Sequence, residues 1–165
     1  MYDSLKQITG HIQVYKIDAL GKRTLQFEKK QTIGTSMYAN IALVLTSRSV
    51  EYGVDAMAWG SFKAAGGTFI DSDWAGTTSS GTKGALIQSI VSSVTSKFSG
   101  TFSFSSTKQI NFLQLGRGYT AAGAGVSQLF TTIYNYDNSL LTGSTNLTYN
   151  NGESMIVDWS TNVGF

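Results

Sequence analysis

Residues 147–160 read LTYNNGESMIVDWS, and this stretch decides the fold class of the chain. The dipeptide Asn151-Gly152 is the favoured centre of a two-residue β-hairpin turn, because both residues tolerate a positive φ. Apolar residues on either side of it recur at a spacing of two, as in a strand with one buried face. The stretch therefore predicts a closing β-hairpin, and its apolar positions are Leu147, Tyr149, Met155, Val157 and Trp159.

Residues 1–33 predict a second hairpin at the other end of the chain. Ile12 and Val14 alternate with polar residues, a turn at residues 18–21 ends in Gly21, and Phe27 continues the alternation on the return. The opposite face is charged, and lysines there would protect a sheet edge from uncontrolled strand pairing. The polar start of the chain lacks the apolar region of a secretory signal, so we expect none.

Residues 34–47 change to a helical spacing, with apolar side chains three and four positions apart. Thr35 or Ser36 can cap the first turn by accepting a hydrogen bond from a backbone N–H. The segment predicts one short α-helix inserted after the first hairpin, with Met37, Ile41, Val44 and Leu45 on its apolar face.

Residues 53–165 predict the remaining strands and loops of a single domain spanning residues 1–165. Residues 86–94 fit either a strand or a helix, and their β-branched content favours a strand. Two long loops are expected, at residues 71–84 around Trp74 and at the glycine-punctuated residues 116–125. Roughly six to nine short strands with one early helix predict a mainly β chain, an antiparallel β-sandwich of jelly-roll type.

The composition excludes several function classes. The chain has 165 residues, no Cys and one His, which removes thiolate metal sites and cysteine nucleophiles. A net charge of +2 is far below what binding to nucleic acid requires, and no apolar run is long enough to span a membrane. Charged residues make up only 13%, which favours a protein that lives inside a larger assembly, although an exported neutral β-protein would have a similar composition.

No catalytic, metal or cofactor site emerges from the motifs. His11 has no second ligand at metal spacing, so we interpret it as a hydrogen-bonded histidine at the end of a strand. Asp71 and Asp73 lack the rest of a calcium loop. Carboxylate pairs for glycoside hydrolysis are a minor alternative, with Glu153 and Asp158 the nearest C-terminal pair and Glu51 with Asp55 another. The sequence predicts a protein that is not an enzyme.

Aromatic residues in the predicted loops are candidates for contact with a partner or a glycan. Trp and Tyr combine a large apolar area with a polar tip, which suits stacking on sugars or anchoring a neighbouring protein. Trp59 and Trp159 lie on strand patterns and are assigned to the core. The candidate contact residues are Trp74, Arg117, Tyr119 and Tyr136.

The order of segments supplies a resemblance, carried by QTIG at residues 31–34, the glycine-ended residues 57–60, residues 110–116 and the terminal strand at residues 153–165. In this order the chain resembles small virion structural proteins of tailed bacteriophages, whose pattern has an "N-x-I-t" stretch, a helix, an "i-x-E-x-G-L" strand and a final "d-x-l-x-v-x-W-x-v-x-F" strand. Gln31 departs from the Asn of that pattern, Gln114 from its Glu, and Gly60 stands alone where two glycines are common.

The resemblance implies a non-enzymatic structural component of a bacteriophage virion, made in the host cytoplasm, which decorates, cements or connects parts of the particle. It implies assembly with capsid, neck or tail proteins and with copies of itself, for which we expect a trimer, with a dimer, pentamer or hexamer as alternatives. It implies no cofactor, nucleic acid or membrane. The alternative is a carbohydrate-binding or receptor-binding module of a phage fibre, with Trp74 and Tyr119 stacking on sugars.

Overall fold

The computed structural model describes residues 7–32, 56–62, 69–78, 81–92, 95–120, 125–134 and 147–164. Within these ranges the chain forms strands and turns but no helix, and so no helix long and apolar enough to cross a membrane. The helix predicted at residues 34–47 lies outside the described residues. The prediction of a mainly β, antiparallel chain is confirmed.

Twelve strands are described, and they form two five-stranded sheets and one two-stranded sheet, all antiparallel. The first sheet has the order β2-β1-β12-β7-β6, the second β10-β9-β3-β4-β5, and the third pairs β11 with β8. The strands are β1 (Gln7–Ile17), β2 (Arg23–Thr32), β3 (Ala56–Phe62), β4 (Phe69–Thr78), β5 (Gly81–Lys83), β6 (Ala85–Ser92), β7 (Thr95–Ser103), β8 (Lys108–Ile110), β9 (Phe112–Thr120), β10 (Gly125–Tyr134), β11 (Leu147–Tyr149) and β12 (Ser154–Gly164).

The opening hairpin forms as predicted, from β1 and β2. Asp18 closes its turn, because its Oδ1 accepts hydrogen bonds from the backbone N–H of Leu20 at 2.9 Å and of Lys22 at 2.8 Å. Gly21 has φ +84°, which only glycine adopts without strain. The short polar side chain and the glycine together fix where the chain reverses.

The turn of the closing hairpin was predicted correctly, but the pairing of its two strands with each other was not. Gly152 has φ +82°, and the Glu153 N–H donates to the Asn150 carbonyl at 3.1 Å, so the turn is present. However, β11 pairs with β8, whereas β12 pairs with β1 and β7. The Phe104 backbone donates to the Glu153 carbonyl and accepts from the Gly152 N–H, so it occupies the position that β11 would take. The chain thus changes sheet at this turn.

The two long loops predicted from polar and glycine-rich sequence are wrong in their extent. Most of residues 71–84 belongs to β4 and β5, and Trp74 lies opposite Ala58 of β3. Residues 116–120 continue β9, where Gly116 lies between Ala56 and Leu129. Hydrogen bonding to buried neighbouring strands outweighs the weak intrinsic strand preference of Gly, Ser and Asp in these segments. The strand interpretation of residues 86–94 is confirmed as far as residue 92 by β6, and residues 93–94 lie outside the described residues.

The buried core draws on all three sheets. Trp59 is 3% exposed and Trp159 is 0% exposed, which confirms their assignment to the core. A Cβ added to Gly100 of the first sheet would lie 2.7 Å from Sδ of Met57 in the second sheet, so these strands approach closely. The cluster consists of Ile12, Val14, Met57, Trp59, Ala75, Phe102, Phe104, Ile110, Leu113, Leu115, Leu147, Tyr149, Met155, Val157 and Trp159.

Candidate functional site

The first sheet presents a polar face opposite its core face. Because side chains alternate along a strand, Ile12 and Val14 point into the core while His11, Gln13 and Tyr15 lie on the other side. Strand register aligns the polar residues of all five strands in cross-strand rows. One row is Lys30, His11, Ser160, Lys97 and Ser89, and the next is Glu28, Gln13, Asp158, Ser99 and Ile87.

Asp158 is the centre of this polar face, and it is only 8% exposed. Its Oδ1 accepts a hydrogen bond from Ser99 Oγ at 2.6 Å, and its Oδ2 lies 2.9 Å from Lys97 Nζ and 3.3 Å from Arg23 Nη2. Burial alone would raise the pKa of the carboxyl group, but Ser99, Lys97 and Arg23 stabilise the charged form and leave the pKa lowered. The Arg23 guanidinium also stacks on Tyr15, 3.7 Å from the ring centroid.

His11 is held by the Glu28 carboxylate, which also accepts a hydrogen bond from an amide on the same face. Its Nε2 lies 2.7 Å from Glu28 Oε1, and Gln13 Nε2 donates to the same oxygen at 2.9 Å. These hydrogen bonds lower the pKa of the Glu28 carboxyl. Among the described residues, no group of three or more His, Cys, Asp and Glu side chains could hold a metal ion. His11 is hydrogen-bonded as predicted, but it lies in the interior of β1 and not at the end of a strand.

A shallow cavity of about 500 Å³ opens at one end of this face. Its described lining consists of small polar residues and His11 with Lys30, and it contains no carboxylate: Thr9, Gly10, His11, Lys30, Thr95, Ser160 and Asn162. Such a lining can donate and accept hydrogen bonds. It offers no pair of acids for general acid and base chemistry.

Of the carboxylates considered for a hydrolase, Glu153 and Asp158 have separate partners, and Glu51 and Asp55 lie outside the described residues. Glu153 binds Lys16 Nζ at 2.7 Å and accepts from the Asn150 N–H at 2.6 Å, contacts that lower the pKa of its carboxyl group. Asp158 has a separate set of partners on the polar face. Each carboxylate is thus engaged in holding strands and a turn in place, and the two do not face one another across a cleft.

The edge strand β6 carries an exposed apolar surface. Ile87 is 65% exposed, Ile90 84% and Val91 62%, and every residue from 87 to 92 is exposed. The strand contains no charged residue. Both faces of its outer half are therefore open to solvent, which is unusual for an aliphatic strand in a single chain, because an exposed edge of this kind is a template for strand pairing.

The opposite edge of the same sheet has the reverse character. β2 contains Arg23, Glu28, Lys29 and Lys30, so the charge predicted for this ribbon lies on an edge strand. Charged side chains on an edge discourage pairing with another chain, because pairing would strip them of water. The two edges of the sheet thus differ in chemistry: β2 is charged, whereas β6 is uncharged and aliphatic.

The structure places three of the four predicted contact residues on two strands of the second sheet, β4 and β9. Trp74 is half-buried on β4. It lies opposite Ala58 of β3, which in turn lies opposite Gln114 of β9. Arg117 and Tyr119 lie further along β9, opposite Gln128 and Val126 of β10. Tyr136 lies outside the described residues. The half-burial and strand position of Trp74 correct its expected place in an exposed loop and reduce its value as a sugar platform.

Sequence reasoning assigned no role to β6. The signal was present, because ALIQSIVS at residues 85–92 places large aliphatic residues at both odd and even positions without any charge. A strand covered on one face alternates apolar and polar residues, whereas this pattern needs cover on both faces. Its significance depends on the edge position, which the sequence alone does not reveal.

Comparison of the chain with protein-family models, with curated proteins and with solved structures finds no match.

Proposed function

We propose that this chain is a non-enzymatic structural component of a bacteriophage virion, which assembles with copies of itself and with neighbouring capsid, neck or tail proteins. The observation that carries the assembly role is the uncharged edge strand β6 with Ile87, Ile90 and Val91 exposed. The phage context comes from the order of sequence segments. The proposed location is the virion.

The chemistry of the first sheet supports an assembly role over a catalytic one. On the polar face, Asp158 and Glu28 accept hydrogen bonds from within the chain, so these acids hold neighbouring strands together. Covering the exposed aliphatic edge with another surface, by contrast, lowers the free energy, because apolar area is removed from water. In a repeated assembly each such contact need only be modest, because many simultaneous contacts multiply the overall affinity.

Within this proposal the two five-stranded sheets pack face to face as a sandwich of jelly-roll type. The close approach of Gly100 to Met57 supports this arrangement, because it joins a strand of the first sheet to one of the second. Core residues such as Val157 and Leu115, which come from different sheets, belong to one buried cluster. A sandwich would leave β6 at an outer edge, where a neighbouring subunit can reach it.

Assembly through β6 predicts that Ile90→Lys weakens self-association. Ile90 is 84% exposed, so the lysine costs the folded monomer little, but a partner strand would have to desolvate its charge. We expect the wild-type chain to sediment as a discrete oligomer and Ile90→Lys to shift it toward monomer, with an affinity lower by about tenfold or more, equivalent to about 1.4 kcal/mol. Sedimentation velocity over a concentration series measures this.

Leu20→Lys is the matched control, because Leu20 is 95% exposed but lies in the β1–β2 turn. It should leave the oligomer unchanged. A wild-type chain that stays monomeric at every concentration and is absent from purified virus particles by mass spectrometry would overturn the proposed function. Equal effects of the two lysine variants would assign assembly to general surface hydrophobicity and not to β6.

A further inference from the structure

We propose that the cavity at the end of the polar face binds a small hydroxylated molecule that carries one oxyanion group, a sugar phosphate or an acidic sugar. The cavity has a volume of about 500 Å³, which is within the range of small-molecule sites and larger than a lone phosphate requires. It lies on the first sheet, whereas Trp74, the predicted sugar contact, lies on the second. The inference goes beyond the assembly role and does not depend on it.

The strand register brings the polar lining together from four neighbouring strands, β2, β1, β12 and β7. Two adjacent cross-strand rows supply these side chains, the first with Lys30, His11 and Ser160 and the second with Thr9, Asn162 and Thr95. The three spacings between four strands amount to about 14 Å, which accommodates an oxyanion near β2 and a sugar ring beside it toward β7. Because the residues stand on paired strands, their backbone positions are fixed before a ligand binds.

Lys30 supplies the positive charge for the oxyanion. None of the four ion pairs between described residues includes Lys30, and the described lining of the cavity contains no carboxylate. Glu28, two positions away on the same strand, uses Oε1 to accept from Gln13 Nε2 at 2.9 Å and lies 2.7 Å from His11 Nε2. Lys30 can therefore form a charge-assisted hydrogen bond with a phosphate or carboxylate oxygen, which is stronger than a neutral one.

Hydrogen-bond acceptors in the lining indicate hydroxyl groups on the ligand. The Glu28 carboxylate can only accept, so His11 Nε2 carries the proton between them and Nδ1 of the neutral ring is an acceptor. Asn162 Nδ2 donates to Thr95 Oγ1 at 3.0 Å, so Asn162 offers its Oδ1 to a ligand and Thr95 its own O–H proton. A fully ionised oxyanion has no proton to donate to Nδ1 or Oδ1, whereas a sugar hydroxyl both donates and accepts. The lining thus fits one negative group and several hydroxyl groups better than a bare anion.

Saturation-transfer NMR of the wild-type chain tests the site, with glucose 6-phosphate as the probe. We expect a Kd of about 0.1–1 mM for so small a polar ligand in a shallow cavity. Glucose, which lacks the oxyanion, and inorganic phosphate, measured by its displacement of the probe, should each bind about tenfold more weakly or worse. Glucuronate carries a carboxylate in place of the phosphate, so its affinity relative to the probe assigns the ligand to acidic sugars or to sugar phosphates.

Lys30→Gln should weaken binding of glucose 6-phosphate by about tenfold, because glutamine keeps a polar side chain but lacks the charge. Lys22→Gln is the matched control: Lys22 is exposed in the β1–β2 turn at the other end of the sheet, and its replacement removes the same net charge without affecting the cavity. Circular dichroism of both variants verifies that the fold is retained.

Three results would overturn the proposed site: no binding of glucose 6-phosphate or glucuronate at millimolar concentration, equal affinity of Lys30→Gln and Lys22→Gln for the probe, or inorganic phosphate that binds as tightly as the probe. The last result would show an oxyanion contact without recognition of hydroxyl groups. These outcomes are separate from that of the proposed function, because sedimentation of the wild-type chain reports assembly and not ligand binding.

Discussion

Trp159→Ala is expected to lower the free energy of unfolding by about 4 kcal/mol, a shift of about 10 °C in Tm for a chain of this size. Trp159 is fully buried in the middle of β12, the central strand of the first sheet, opposite Ile12 of β1 and Phe98 of β7. Its replacement removes one of the two buried tryptophan side chains of the described core and leaves a cavity that neighbouring strands can fill only in part. Urea unfolding followed by circular dichroism measures the change.

Trp159→Phe is the matched control. The Trp159 Nε1–H is buried with no hydrogen-bond partner in the described part of the chain, and this unmet donor weakens the folded state. Phenylalanine removes the donor and keeps much of the ring, so the loss should be only about 1–2 kcal/mol. A Trp159→Ala variant as stable as Trp159→Phe would show that the site collapses without a cavity and that this position does not anchor the core.

Local features of the fold could be predicted from the sequence where side-chain chemistry near the turn determines the outcome. The β1–β2 hairpin follows from Asp18 and Gly21 at its turn, and the Asn151-Gly152 turn forms where the dipeptide predicts it. Strand partners could not be predicted in the same way. β11 and β12 leave one turn for different sheets because Phe104, distant in sequence, bonds to Gly152 and Glu153.

The strands β4 and β9 show a second reason why sequence patterns fail. Residues such as Trp74 and Gly116 stand among Gly, Ser and Thr, which are typical of loops, yet the buried strand β3 between β4 and β9 supplies a full ladder of hydrogen bonds. Strand preference depends on such neighbours more than helix preference does. Trp74 was predicted to contact a partner because it was expected in an exposed loop. Since it lies on a strand and is half-buried, the candidate surface is β6 instead.

The side-chain network on the polar face gives the strands next to β6 a rigid support. Asp158 of β12 binds Lys97 of β7 and Arg23 of β2, so side-chain contacts link strands that lie on either side of β12. This network fixes the strands that carry β6, since β7 pairs with both β12 and β6. The proposed role of β6 in assembly would benefit from such a rigid support, because less conformational freedom is lost on binding.

Asp158→Asn is expected to lower the free energy of unfolding by about 2 kcal/mol at neutral pH, since asparagine fills the same space but lacks the charge that binds Lys97 and Arg23. Both cations are partly exposed, with side chains 37% and 48% accessible, so solvent screens their contribution and the Ser99 hydrogen bond carries much of the effect.

Because the folded-state pKa of Asp158 is lowered, its contribution is present above the unfolded pKa near 3.8 and is lost as pH falls through the lower folded value. The stability difference between wild type and Asp158→Asn should therefore be constant from neutral pH to about pH 5 and should shrink below about pH 4. Urea unfolding across this range measures it. A difference that stays constant at acid pH would contradict the role of the charge and assign the loss to altered packing around Ser99.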